Sequence, residues 1–218
     1  MTTLMVRLAR ITGRGLALQE ALYGFIMAML FITAAAFGVM NMETNTEVII
    51  LIVGMDFTWG LIDMVIFYFV DVAEQKKYLR IMKGEGLYAD RKKVIRDNLS
   101  GTLVDILDDE DEEKVIDIIA ASGIEGSGEM LKSRLDMLLS AFSCFVITLM
   151  TTIPAVIALL IVPDLHDGLL AAGIASSVCM FFVGYRMGPY LGTKGMYSGA
   201  AILAMALAII LMATFTGG

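Results

Sequence analysis

Val48–Val70, with the sequence VIILIVGMDFTWGLIDMVIFYFV, decides how this chain folds. It holds no Lys, Arg or Pro, and at ~1.5 Å rise per residue a helix of that length covers a ~30 Å hydrocarbon layer. Its two acids, Asp56 and Asp63, lie seven residues apart and so project from nearly the same face of that helix. Four further stretches have the same character: Ala21–Met40, Leu138–Val162, Leu169–Tyr185 and Met196–Phe215. The expected fold class is therefore all-α, a polytopic membrane protein with five transmembrane helices. Whole-chain composition agrees. Of the 218 residues, 58% are hydrophobic even without the 21 glycines, where soluble domains hold about 45–50% apolar residues with glycine included.

Charge excludes other classes. The formal charge of −7 argues against a nucleic-acid partner, which calls for a basic surface. Cys144 and Cys179 both lie in apolar runs, and with one His they build neither a zinc cage nor a disulfide scaffold. The first apolar run is a full span without a small-residue cleavage site, so it reads as a helix rather than a removable signal. His166 stands alone with no nucleophile–base set, so the chain is not expected to be an enzyme.

The positive charges are confined to alternate connections. Arg7, Arg10 and Arg14 precede the first span, eleven Lys and Arg lie between Lys76 and Arg134, and Arg186 and Lys194 follow the fourth span. By the positive-inside rule the N-terminus and the long polar insert face the cytoplasm, and the C-terminus faces out. The expected organisation is residues 1–70 for the N-terminal segment with helices 1 and 2, 71–137 for a small cytoplasmic helical domain, and 138–218 for helices 3 to 5. Span two is expected to continue unbroken through Lys83. Tyr88–Leu107 reads as an amphipathic helix with Val94, Leu99, Leu103, Ile106 and Leu107 as apolar positions. Glu110–Ala121 reads as another, with Val115, Ile118 and Ile119 on its apolar face. Gly123, Gly126 and Gly128 break the chain after it.

Carboxylates supply the candidate sites. Asp108–Glu113 is an unbroken acidic run in which Glu110 and Glu113 are i, i+3 and Asp109 and Glu113 are i, i+4. Clustered carboxylates suit divalent cations, and Glu125, Glu129 and Met130 lie further along the insert. The same run also reads as an ordinary helix start, because acids favour the positive end of the helix dipole. Asp56 and Asp63 are more informative, since a carboxylate in hydrocarbon costs several kcal/mol and faces a bundle interior, a partner or water. No base lies in any span to neutralise them. Trp59, Tyr68 and the threonines are the neutral partners on offer, and exchange of a bound proton for a cation is the functional version of such a pair. Glu20 at the edge of span one and Met27 seven residues on share a face, with Met27 expected at the depth of Asp63. A thioether beside a carboxylate suits a transition metal. Thr148, Thr151 and Thr152 before Pro154 predict a kink in span three. Gly184, Gly188 and Gly192 predict close helix contact.

Four segments carry a family resemblance: Glu20–Met27, Trp59–Asp63, Thr151–Pro154 and Gly184–Gly188. With five spans and one helical insert between the second and third, the chain resembles the vacuolar iron transporter family, and its prokaryotic relatives most closely. That resemblance implies a homodimer in a prokaryotic plasma membrane that exports Fe2+ or Mn2+ from the cytosol in exchange for protons. The metal is then cargo, with no permanently bound cofactor. The resemblance further implies a pathway through Glu20, Asp56 and Asp63 with Met27 or Met64 as thioether. It also implies metal ligands in the insert, which fall on Asp109, Glu110, Glu113, Glu125, Glu129 and Met130. Glu20-Ala21-Leu22 stands where the family has Asp-Gly-Leu, and the insert lacks repeated Glu pairs. The competing reading is a non-transporting scaffold or ion sensor whose cytoplasmic helices bind a partner.

Overall fold

A computed structural model describes residues 13–83, 90–121 and 133–216. Eight α-helices run through them: α1 Arg14–Ala36, α2 Asn45–Lys83, α3 Arg91–Leu99, α4 Asp109–Ala121, α5 Arg134–Thr151, α6 Ile153–Ile161, α7 Leu165–Met187 and α8 Gly195–Thr216. Short 3-10 turns occupy Leu103–Ile106 and Gly188–Leu191. No strand occurs among the described residues. Five stretches are long and apolar enough to cross a membrane: Gly15–Ala36, Asn45–Ile81, Arg134–Ile161, Leu165–Leu191 and Gly195–Thr216. The chain divides into two compact units, Met1–Ile66 with Leu139–Gly218, and Phe67–Leu138.

The larger unit is a helical bundle around a main apolar cluster, with a smaller one of Ala17, Ala21 and Ile147 beside it. Leu22, Phe25, Met29 and Ile32 of α1, Ile52 of α2, Leu159 of α6, Met180 of α7 and Ile210 of α8 meet in the main cluster. Lipid is as apolar as leucine, so such a bundle depends on close packing and polar contacts rather than on burial from water. Glycine supplies the close packing between α7 and α8. A Cβ on Gly184 would lie 3.0 Å from Gly199 Cα, and one on Gly188 would lie 2.8 Å from Gly195 Cα. The Ser198 hydroxyl donates to the Gly184 carbonyl at 2.7 Å and pins this contact. Gly184 and Gly188 thus serve as their spacing suggests. Gly192, with φ +64°, forms the left-handed end of the turn instead.

Helix ends correct several sequence-drawn boundaries. The first span was expected to reach Met40, yet α1 stops at Ala36. Gly38 adopts φ +68°, and the Gly38 and Val39 amides fold back to the Ala35 and Ala34 carbonyls, closing the helix with a Schellman motif. The third span breaks at Thr152 as Pro154 predicts, with α5 ending at Thr151 and α6 resuming at Ile153. The second span does continue, through all 39 residues of α2.

The end of α6 is held by a residue that hydropathy overlooks. The Asn45 side-chain amide at the start of α2 donates to the Leu159 carbonyl at 3.0 Å and the Val162 carbonyl at 2.7 Å. These belong to the last carbonyls of a helix, which have no partner within it. Gly168 leaves the room, because a Cβ there would sit 3.1 Å from Asn45 Oδ1.

In the smaller unit, Ile81 of α2, Ile95 of α3 and Ile116 of α4 form the core, with Val94, Leu99 and Ile119 against it. The helix expected over Tyr88–Leu107 is shorter: α3 begins after the Asp90 cap and ends at Leu99, because Gly101 turns the chain at φ +82°. Leu103, Ile106 and Leu107 were expected on its apolar face and are exposed, as is Ile118. Ile95 and Ile116 take the buried positions instead.

Replacing Asn45 with Ala or Asp should lower the melting temperature of the detergent-solubilised protein. The loss expected is about 1–3 kcal/mol, the cost of leaving buried carbonyls without a donor. An unchanged melting temperature in both variants contradicts this role.

Candidate functional site

The sequence places three acids near one another, and the larger unit shows how they are held. Glu20 of α1 and Asp56 of α2 are 1% and 0% exposed, and Asp63 is half-buried. No Lys or Arg occurs between Arg14 and Lys76 or between Arg134 and Arg186, so no lysine or arginine of those stretches faces them.

The Glu20 and Asp63 side chains lie within hydrogen-bonding reach of each other. Two carboxyl groups make such a contact only with a proton or a cation between them. Thr148 Oγ1 lies 3.3 Å from Glu20 Oε2 and 3.1 Å from the Cys144 carbonyl, one turn back on its own helix. Asp63 therefore meets Glu20 rather than lying level with Met27. The offset follows from α1 beginning at Arg14, seven residues ahead of the apolar run used to judge depth. Met27 and Met64 are both partly buried.

Asp56 is held from the break in the third span. Thr151 Oγ1 lies 3.3 Å from Asp56 Oδ2 and 2.6 Å from the Thr148 carbonyl, one turn back on its own helix. The other carboxyl oxygen, Oδ1, is buried without a hydrogen-bond partner. Thr152 donates its hydroxyl to the Leu149 carbonyl at 2.8 Å. The Thr151 hydroxyl thus serves the Thr148 carbonyl, whose regular amide partner, Thr152, bonds to the Leu149 carbonyl instead. Trp59 and Tyr68, expected as possible partners for the acids, are not what holds Asp56; Trp59 is exposed.

Gly24 completes the site from α1. A Cβ there would collide with the Thr151 hydroxyl and come within 3.1 Å of the Thr148 carbonyl. The quoted segment Glu20–Met27 contains this glycine, but only the fold shows why it is small. Across α2 and α5, Gly60 lets the backbone come close to Phe145, which packs edge-on against Phe57 with ring centroids 5.4 Å apart.

The acidic run of the insert is placed differently. Asp108 caps α4 by accepting from the Asp111 amide at 2.9 Å. Glu110 and Asp111 pair with Lys114 at 2.8 and 3.0 Å, Glu112 pairs with Arg96 at 3.4 Å, and Glu113 pairs with Arg96 and with Lys92. Lys92 also pairs with Asp117. The hydrogen bond that it donates to Asp117 holds the Lys92 ammonium above the usual lysine range, and the one donated to Glu110 does the same for Lys114. A raised lysine contributes below the pKa of the free side chain and loses its contribution as pH rises through the folded value. These pairs therefore persist through neutral pH and loosen only in strong alkali. The structure brings Asp109, Glu110 and Glu113 onto one helix start laced to basic residues. Among the described residues, no group of three or more His, Cys, Asp or Glu side chains is gathered closely enough to hold a metal. Glu125, Glu129 and Met130 lie outside the described residues.

Comparison with protein-family models, with curated proteins and with solved structures found no match.

The packing of Gly24 yields a double-mutant test. Gly24→Ala should cost about 1–3 kcal/mol as an overpacking change, seen as a lower melting temperature. Adding Thr151→Ala removes the clashing hydroxyl and should recover part of that loss. Strictly additive losses in the two single variants would contradict the contact.

Proposed function

We propose that this protein is a divalent transition-metal carrier that exports Fe2+ or Mn2+ from the cytosol in exchange for protons. The observation that carries this reading is the meeting of Glu20 and Asp63 from two different apolar helices with no base opposite them. Such a pair needs a positive partner, and two carboxyl groups offer hard oxygen ligands to a divalent ion when the shared proton leaves. A proton and a cation then compete for one place, which is the elementary requirement for exchange. Asp56 lies two turns along α2 from Asp63, ~10 Å at helical rise, and continues the acidic line through the bundle. Met27 and Met64 are the thioethers proposed for the softer side of the metal's preference.

The family resemblance supports the same reading: Glu20, Asp56, Asp63 and Met27 fall where pathway residues are implied. The proposed setting is a homodimer in a prokaryotic plasma membrane, with the insert and the N-terminus in the cytoplasm. A second reading, a membrane scaffold or ion sensor, draws on the insert, where Leu103 and Ile106 are 81% and 76% exposed.

Mn2+ flux into proteoliposomes, followed with a trapped metal-sensitive dye, separates the two. The wild-type protein should carry Mn2+ and move protons the other way. Glu20→Gln and Asp63→Asn should each lower the initial rate at least tenfold. No flux in the wild type, or equal flux in all three proteins, contradicts the carrier reading.

A further inference from the structure

Thr151 has one hydroxyl proton and two acceptors within reach. The Thr148 carbonyl stands at 2.6 Å and Asp56 Oδ2 at 3.3 Å. A hydroxyl donates once and accepts through its lone pairs. The shorter contact takes the proton, so Thr151 turns lone pairs towards Asp56, and that contact then needs its hydrogen from the carboxyl group. Asp56 Oδ1 supports the same assignment. It is buried with no partner, which a neutral C=O tolerates at modest cost and a bare charge in an apolar interior does not.

We propose that Asp56, the Thr151 hydroxyl and the Thr148 carbonyl form a proton-binding site whose occupancy latches the break in the third span. With the proton bound, Asp56 Oδ2 donates to Thr151 Oγ1, and Thr151 Oγ1 donates to the Thr148 carbonyl. When the proton leaves, the Thr151 hydroxyl rotates to donate to the charged Asp56, and the Thr148 carbonyl loses its donor. That carbonyl has no easy substitute. The Thr152 amide, its regular α-helical partner, turns to the Leu149 carbonyl at 3.3 Å, and Pro154 brings no N–H to the next turn. The hinge between α5 and α6 is thereby released. Gly24 fixes the geometry, since any side chain there would displace the Thr151 hydroxyl.

The other ionisable groups near this site are Glu20, which shares α5 with it through Thr148, and Asp63 on the same helix. On α5 itself Cys144 is buried and outside any disulfide. No Lys, Arg or His lies on α1 after Arg14, on α2 before Lys76, or on α5 and α6 after Arg134. The proposal goes beyond the transport reading and does not depend on it, because a proton site with a hinge needs no metal.

Spin labels at Leu139 and Leu160, both exposed and on opposite sides of the break, report the hinge in the full chain reconstituted in liposomes. The background is Cys144→Ala, Cys179→Ala and His166→Asn. Distances are measured without metal from pH 5 to pH 9. The parent protein should pass between two distances in one titration. Asp56→Asn, whose amide still donates to Thr151, should hold the low-pH distance throughout. Thr151→Val should abolish the titration, Thr151→Ser should retain it, and Asp63→Asn should leave it in place. A parent distance that never changes, an Asp56→Asn protein that still titrates, or a Thr151→Val protein that titrates like the parent overturns the proposal. A protein that titrates yet carries no Mn2+ sinks the carrier reading alone. One that carries Mn2+ with a fixed hinge sinks the proton site alone.

Discussion

A buried carboxyl group with no base to meet it is the constraint from which the rest of the larger unit follows. Glu20 and Asp56 are enclosed by stretches of helix that carry no Lys or Arg, so every stabilising contact they receive comes from a neutral dipole, a proton or a cation. The third span supplies the dipoles. Thr148 and Thr151 stand one turn apart on the face of α5 that meets α1 and α2, and each is buried. A straight helix would occupy their hydroxyls with little consequence. In a helix interrupted at Thr152, the same hydroxyls decide which backbone carbonyls are satisfied, and so they join the acids to the shape of the span.

Close approach makes this possible. Gly24 brings α1 against Thr151, Gly60 brings α2 against Phe145, and Gly184 and Gly188 bring α7 against α8. With lipid outside, no hydrophobic force presses these helices together, so small residues and a few polar staples hold them. Asn45 is one such staple and Ser198 another. Gly24 alone of these close approaches lies at the acids, whose contacts run to each other, Glu20 with Asp63, and to the interrupted helix through Thr148 and Thr151.

Much of the architecture was legible because hydropathy is a direct record of the solvent. Five apolar stretches, the unbroken run of α2 through Lys83 and the break before Pro154 all follow from residue type and spacing. Asp56 and Asp63 were legible for the same reason, since an acid in an apolar run needs an explanation, whereas Glu20 stood only at the edge of its span and is buried in the fold. Pairing was less accessible. Helical spacing shows which residues share a face but not how far two antiparallel helices are offset, so Asp63 was set against Met27 when it meets Glu20. The threonines stood among the neutral partners on offer to the acids, but nothing in the spacing of Thr148 and Thr151 beside Pro154 chose them over Trp59 and Tyr68. In the insert, the face of a short helix is poorly fixed by a few apolar residues. Ile118 was expected on the apolar face and Ile116 was not, yet Ile116 is the residue that packs with Ile81 and Ile95.

The acidic run illustrates how the same residue type can mean different things by location. Asp108–Glu113 is conspicuous in the sequence, but in water carboxylates are cheap, and here they cap a helix and pair with Lys92, Arg96 and Lys114. Glu20 and Asp63 are fewer, yet in an apolar bundle their pairing demands a positive partner. The most direct measurement is anomalous X-ray scattering at the manganese edge from crystals of the protein grown with Mn2+. The account predicts a peak between the Glu20 and Asp63 carboxyl groups that disappears in Asp63→Asn. A peak confined to the acidic run of the insert, or none between those two side chains, would contradict it.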